Sequence, residues 1–166
     1  MAGKCTGART RAAESIDPRA LCLEITESAI LDDPQRAPQS LKRLHGMGLR
    51  LSIDDFGAGY SLPASLKRMP LHGLKIDKSF VMSMERDRAD MKIVRSTIDL
   101  AHNLGLTVTA EGVETAQAFA ILRAMRCDEA RGYFMAKPMP GAAFAAWIGA
   151  WQAPQSKLRT EFAALI

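Results

Sequence analysis

The strongest constraint on the fold is a residue pattern that recurs in five short segments of the chain. In Leu51-Ser52-Ile53-Asp54-Asp55, apolar and polar residues alternate, and the polar set ends in a charge. Alternation with a period of two is typical of a β-strand with one apolar face. The sequence therefore predicts five strands, at Leu21–Glu27, Leu51–Gly57, Gly73–Asp77, Leu106–Glu111 and Glu129–Phe134.

Stretches with helical periodicity separate these predicted strands. Met91, Val94 and Ile98 recur at spacings of three and four, and Gly105 is placed to end that helix. Thr115 is a candidate N-cap for the next helix. A strand–helix–strand rhythm of about 20 to 35 residues is typical of βα units. We therefore expect an α/β fold with a parallel sheet, either open or closed into a (β/α) barrel of the TIM type.

Charged residues close several of the predicted strands. In a barrel of this type the carboxyl ends of the strands meet at one mouth, where such enzymes place their chemistry. The residues expected to meet there are Glu24, Asp54, Asp55, Lys75 and Glu111. Adjacent carboxylates need a compensating cation, and their oxygens suit Mg²⁺, Mn²⁺ or Ca²⁺. Asp54-Asp55 alone could equally be a solvated turn, but the recurrence of the pattern favours a metal site.

The ordered motifs resemble those of the EAL domain, the bacterial cyclic di-GMP phosphodiesterase family. The residues that carry the resemblance are Leu23-Glu24-Ile25-Thr26-Glu27, Asp54-Asp55-Phe56-Gly57-Ala58-Gly59-Tyr60-Ser61, Leu74-Lys75-Ile76-Asp77-Lys78-Ser79-Phe80-Val81, Ala110-Glu111-Gly112-Val113-Glu114-Thr115, and Gly132-Tyr133-Phe134 with Lys137-Pro138-Met139-Pro140. The resemblance implies a (β/α)₈-type barrel with its site at the carboxyl ends of the strands.

The resemblance also implies roles for individual residues. Glu24 and Asp54 would be ligands of a first metal, and Asp54 would bridge to a second metal that Asp55 and Glu111 also hold. Lys75 would orient or polarise the attacking water. The catalytic set is then Lys75, Glu111 and Asp54, and the cofactor is Mg²⁺ or Mn²⁺ in a two-metal site. The implied reaction is hydrolysis of cyclic di-GMP to linear pGpG.

A glycine loop from Phe56 to Ser61 would close over this site. The resemblance assigns Glu27 and Glu114 to anchoring that loop. Residues expected to contact the substrate are Phe56, Gly57, Tyr133, Pro138 and Arg131.

The sequence also departs from the family pattern. The family's first strands carry the Glu-Ala-Leu signature, whose Glu is a metal ligand, and a metal-binding Asn, and residues 1–13 show neither. Arg131 stands where the family usually has Gln, which puts a fixed cation close to the metals. We therefore expect about five of eight βα units, two missing metal ligands and low or no activity of this chain. The alternative is a non-catalytic module that binds cyclic di-GMP or a protein.

These departures also set the expected domain bounds and assembly. Residues 1–13 are unmatched and expected to be disordered, 14–152 form the partial domain, and 153–166 form a tail with a short helix. The unpaired edge of the first strand predicts a homodimer. A GGDEF or sensory domain is compatible with a full-length protein of this family.

Composition excludes several other classes of protein. The net charge is +4, but the basic residues are dispersed without an organising motif, so no nucleic-acid polymer is expected as a partner. The three cysteines form no zinc or disulfide pattern, which favours a reducing cytoplasm. No apolar run reaches the length of a membrane span.

Overall fold

The computed structural model describes residues 16–57 and 66–162, with side chains up to residue 151. Segment 1–13, and most of the glycine loop with Ala58 in it, lie outside the described residues, as do residues 163–166 of the predicted tail.

Five strands form one sheet in the described part of the chain. They are β1 (Cys22–Thr26), β2 (Arg50–Phe56), β3 (Gly73–Ile76), β4 (Thr107–Glu111) and β5 (Glu129–Arg131). Each strand pairs in parallel with the next one along the chain, in the order β1-β2-β3-β4-β5. Because parallel neighbours need crossover connections, described helices lie between β1 and β2, between β3 and β4, and between β4 and β5. The predicted fold class, an α/β parallel sheet consistent with part of a TIM-type barrel, is confirmed.

Six helices accompany the described strands. They are α1 (Glu27–Asp32), α2 (Ala37–Gly46), α3 (Lys78–Ser83), α4 (Arg88–Asn103), α5 (Ala116–Ala124) and α6 (Gly141–Phe162), and a short 3₁₀ turn at Pro18–Ala20 precedes β1. The Thr115 side chain accepts a hydrogen bond from Ala118 N and so caps α5, as predicted. Gly105 follows α4 at φ 71°, a conformation that glycine adopts without strain.

The aliphatic core lies between the sheet and its helices. Leu51 and Ile53 of β2 are fully buried, as are Leu74 and Ile76 of β3. Burying a side chain of this size contributes roughly 1.5–3 kcal/mol. On the opposite face the side chains of Ser52, Lys75 and Thr109 are also buried, although they are polar. The sheet therefore has an apolar face toward the helices and a polar face that leads to the charged strand ends.

Strand β1 differs from the strands beside it. Cys22, Leu23 and Glu24 are exposed and Ile25 is half-buried, whereas β3 is buried along its whole length. Among the described strands β1 pairs with β2 alone, which leaves its other edge open there. Separately, no described helix combines the length and hydrophobicity needed to cross a membrane.

Candidate functional site

Lys75 lies at the centre of a cluster of three carboxylates. Its ammonium Nζ is 2.8 Å from Glu24 Oε2, 2.9 Å from Asp54 Oδ1 and 2.8 Å from Glu111 Oε1. These side chains come from β1, β2 and β4, and Lys75 comes from β3 between them. Parallel pairing places the carboxyl ends of all four strands at one edge, so residues far apart in sequence meet there.

The ammonium of Lys75 is held in its charged form. Its side chain is only 6% exposed, and such burial alone would lower its pKa. Close contacts of the ammonium with the carboxylates of Glu111, Glu24 and Asp54 outweigh that burial and raise the pKa of Lys75 above its ordinary value. With these three carboxylates around it, Lys75 is therefore charged at neutral pH and acts as a hydrogen-bond donor.

One oxygen of Asp54 is poorly satisfied. Oδ1 is buried and has no hydrogen-bond partner among the described residues, although Lys75 Nζ lies 2.9 Å away. The contact is thus an ion pair without good hydrogen-bond geometry. A buried carboxylate oxygen in this state has capacity for a further cation.

A bulge at the end of β2 separates the two adjacent aspartates. The pairing of β2 with β3 shifts register between Ile53 and Phe56, and Asp55 adopts φ 53° there. A bulge redirects a side chain. Asp54 lies beside Lys75, whereas the carboxyl group of Asp55 interacts with that of Asp77 just beyond β3.

The environment of Asp55 also changes its ionisation. Burial raises the pKa of Asp55, and the charge of Asp54 and the interaction with Asp77 act in the same direction. Asp77 was missed by the sequence reasoning. Its position two residues after Lys75, on the same face of an extended chain, was the signal that could have found it.

Arg131 reaches the same cluster from β5. Its Nη1 lies 3.4 Å from Glu24 Oε1 and 3.9 Å from Glu111 Oε1. In a flat sheet β1 and β5 would be about 19 Å apart, four strand spacings. The contact between Glu24 and Arg131 therefore requires the sheet to curve strongly, as a barrel wall does.

The predicted loop-anchoring residues have different surroundings. Glu27 is buried, and its Oε2 accepts a long hydrogen bond of 3.4 Å from Gly57 N at the start of the glycine loop. Its Oε1 has no hydrogen-bond partner among the described residues. Glu114 is exposed between β4 and α5.

The predicted substrate-binding residues fall in two places. Phe56 is buried in the core, and Gly57 follows it at φ 98°. Beyond β5, Tyr133 and Pro138 line a pocket of about 400 Å³, together with Gly132, Ala136, Lys137, Met139, Phe144 and Trp147. Lys137 Nζ lies 5.7 Å from the centre of the Tyr133 ring. This pocket adjoins the end of β5 from which Arg131 projects.

The donor chemistry of the cluster fits a divalent cation. Glu24, Asp54 and Glu111 supply carboxylate oxygens, which Mg²⁺ and Mn²⁺ prefer, and they already converge on one cation. Within the described residues, however, no three acidic, histidine or cysteine side chains have the spacing of a metal site. The carboxylates would have to rearrange around Lys75 to hold a metal.

Comparison with known proteins matches most of the chain. The family model described as EAL domain covers residues 7–138. The cyclic di-GMP phosphodiesterase NbdA of Pseudomonas aeruginosa is 43% identical over 130 residues, which are 78% of this chain and 17% of NbdA. The chain thus spans less than a fifth of the length of that relative.

Two solved structures are similar in fold and sequence. The complex of the PaMucR phosphodiesterase with cyclic di-GMP has a TM-score of 0.80 at 36% identity, and the match covers 82% of this chain and 56% of the other. A manganese and cyclic di-GMP complex of BlrP1 from Klebsiella pneumoniae has a TM-score of 0.72 at 31% identity, with 78% and 33% covered. Those two proteins bind cyclic di-GMP, and the second also binds manganese.

Proposed function

The chain belongs to the EAL domain family, and from this membership we propose that its carboxylate cluster binds cyclic di-GMP and hydrolyses it to linear pGpG. The observation that carries the proposal is the convergence of Glu24, Asp54 and Glu111 on Lys75, at 2.8–2.9 Å. Such a cluster concentrates negative charge at a strand edge where a metal-dependent hydrolase needs it.

The carboxylates would hold Mg²⁺ or Mn²⁺. Glu24 and Asp54 would hold one ion, and Asp54, Asp55 and Glu111 the other. Bound there, such ions lower the pKa of a water and neutralise charge that builds on a phosphodiester. The unsatisfied Oδ1 of Asp54 supports its role as the shared ligand.

Lys75 would act on the attacking water as a donor. Its ammonium lies within 2.8–2.9 Å of the three carboxylates, so it would orient or polarise a water held at the same strand ends. Glu27 would brace the glycine loop through Gly57, and Glu114 would be the second residue that anchors it. Phe56, Gly57, Tyr133, Pro138 and Arg131 would position the dinucleotide.

We further propose that turnover by this chain is slow, and the second candidate function is binding without hydrolysis. Lys75 and Arg131 together already neutralise much of the negative charge that a metal would use. The described acidic side chains also lack metal-site spacing. Both observations favour a module that engages cyclic di-GMP or a protein partner.

The test measures binding and product separately. The purified 166-residue chain is incubated with cyclic di-GMP and Mg²⁺ or Mn²⁺, pGpG is quantified by chromatography, and binding is measured by calorimetry. Product from the unmodified chain and none from Asp54→Asn supports the enzyme. Binding without product supports the second candidate, and failure to bind cyclic di-GMP contradicts the enzyme and the nucleotide-binding module and leaves only a protein-binding module. Lys92→Asn, an exposed change on α4, is the control for handling and folding.

The compartment and the assembly are also proposals. Cys22 and Cys127 are free thiols, which favours a reducing compartment and hence the cytoplasm. Among the described strands β1 has one unpaired edge, which supports a homodimer.

A further inference from the structure

Arg131 and Lys75 each contact a different oxygen of the Glu24 carboxylate. Lys75 Nζ contacts Oε2 of Glu24 at 2.8 Å, while Arg131 Nη1 approaches Oε1 of the same carboxylate at 3.4 Å. Glu111 Oε1 is shared as well, at 2.8 Å from Lys75 and 3.9 Å from Arg131. Every oxygen of Glu24 that could bind a metal thus already faces a protein cation.

The two cations are held very differently. The Lys75 side chain is 6% exposed and is enclosed by its three carboxylates, whereas the Arg131 side chain is 57% exposed and contacts them at longer distances. An exposed ion pair contributes little to stability and opens readily. Arg131 is therefore the cation that can leave while the rest of the cluster stays in place.

We propose that Arg131 is a displaceable counter-cation that sets the divalent-metal affinity of this site. Without a metal, its guanidinium pairs with Glu24 and Glu111. A divalent cation must displace it to use those oxygens, and its positive charge then remains nearby. Arg131 thus acts on the metal through the carboxylates of Glu24 and Glu111, and the inference rests on the proposed metal-binding function.

The charge argument gives the size of the effect. A single charge about 6 Å from a divalent ion in a water-like dielectric changes the affinity about tenfold. Removing the charge of Arg131 should therefore strengthen metal binding. If Arg131 served only to hold β1 and β5 together, its removal would instead weaken metal binding, because Glu24 could then move away from the cluster.

The test is calorimetric titration of Mn²⁺ into the full chain at constant ionic strength. We expect Arg131→Gln to bind Mn²⁺ about tenfold more tightly than the unmodified protein, and Arg131→Lys, which keeps the charge, to stay close to it. Lys137→Gln is the matched control. It removes the same charge at the same end of the sheet, from a side chain that contacts the Tyr133 ring and forms no ion pair with the described carboxylates.

Each outcome decides the proposal. Suppose that the unmodified chain binds Mn²⁺ and Asp54→Asn does not. Equal or weaker Mn²⁺ binding by Arg131→Gln would then overturn the counter-cation role of Arg131 but not the metal site itself. Absence of Mn²⁺ binding by both proteins overturns the counter-cation and the metal site together. Tighter binding by Lys137→Gln as well would reduce the effect to net charge and also overturn it. If Arg131→Gln does not fold, Arg131→Met provides the same neutral test.

Discussion

The main-chain N–H of Leu51 donates a hydrogen bond to the Nδ1 atom of the His72 ring, at 3.2 Å. His72 precedes β3, and its own N–H and carbonyl bond to Leu51 O and Thr107 N. It therefore ties together the amino-terminal ends of β2, β3 and β4, opposite the carboxylate cluster. Because Nδ1 accepts a hydrogen bond here, it carries no proton, and the ring is therefore neutral in the folded protein.

This geometry predicts that the fold weakens on mild acidification. Burial lowers the pKa of His72 below its ordinary value of 6.5, and the charges of His45 and Arg50 act in the same direction. When the pKa of a histidine is lower in the folded state than in the unfolded state, its neutral form stabilises the fold fully at pH values above the unfolded-state pKa. That stabilisation is lost as the pH falls from the unfolded-state pKa toward the folded-state pKa. Urea denaturation between about pH 7.5 and about pH 5 should show a steeper loss for the unmodified protein than for His72→Asn.

The control for that experiment is His45→Gln. The His45 ring lies 5.4 Å from the His72 ring, so its charge contributes to the lowered pKa. This variant should keep most of the pH dependence. Equal slopes for the unmodified protein and His72→Asn would contradict the assignment.

Lys75→Met should destabilise the protein by about 2 kcal/mol in the presence of a chelator. Removing one partner of a buried ion pair costs about 3–5 kcal/mol, and the partial exposure of the three carboxylates reduces that cost. Thermal unfolding measures the loss, and Mn²⁺ should recover part of it, since the carboxylates then lack a cation. Lys92→Met, on the exposed face of α4, should change the melting temperature little.

Much of the sheet was predictable because buried parallel strands leave a clear alternation. The segment ending at Glu111 was expected to be a strand, and β4 forms there. The meeting of Glu24, Asp54, Lys75 and Glu111 was also predictable, because these residues lie toward the carboxyl ends of strands that parallel pairing places at one edge of the sheet.

What escaped prediction depends on local geometry that residue patterns do not encode. The bulge with φ 53° at Asp55 directs that carboxylate to Asp77 instead of Lys75. The pairing of Arg131 with Glu24, 107 residues away, needs the curvature of the whole sheet. Neither the bulge nor the curvature leaves a periodic signal in the sequence.

Gly132→Ala should destabilise the protein by at least about 2 kcal/mol, because a Cβ atom there would lie 2.1 Å from the Val113 carbonyl oxygen and 2.4 Å from its nitrogen. Neither atom can move freely, since Val113 N bonds to Arg131 O and Val113 O accepts from Phe134 N. Gly149→Ala is the matched control in α6, where nothing lies within 4 Å of an added Cβ. That change should be neutral or stabilising in urea denaturation. Comparable losses for the two variants would show that the approach to Val113 is not what requires glycine.

The last prediction concerns assembly through β1. The strand pairs with β2 alone among the described strands, and Leu23 on it is 38% exposed. Open backbone donors and acceptors on an apolar strand pair readily with a second chain. We expect the purified protein to be a dimer or larger by light scattering, and Leu23→Lys to shift it toward monomer, because like charges would face each other across the new strand pair. Met82→Lys places the same charge on α3, at a residue that is 51% exposed, and should leave the assembly unchanged. A monomer that persists at every concentration of the unmodified protein would contradict pairing through this edge.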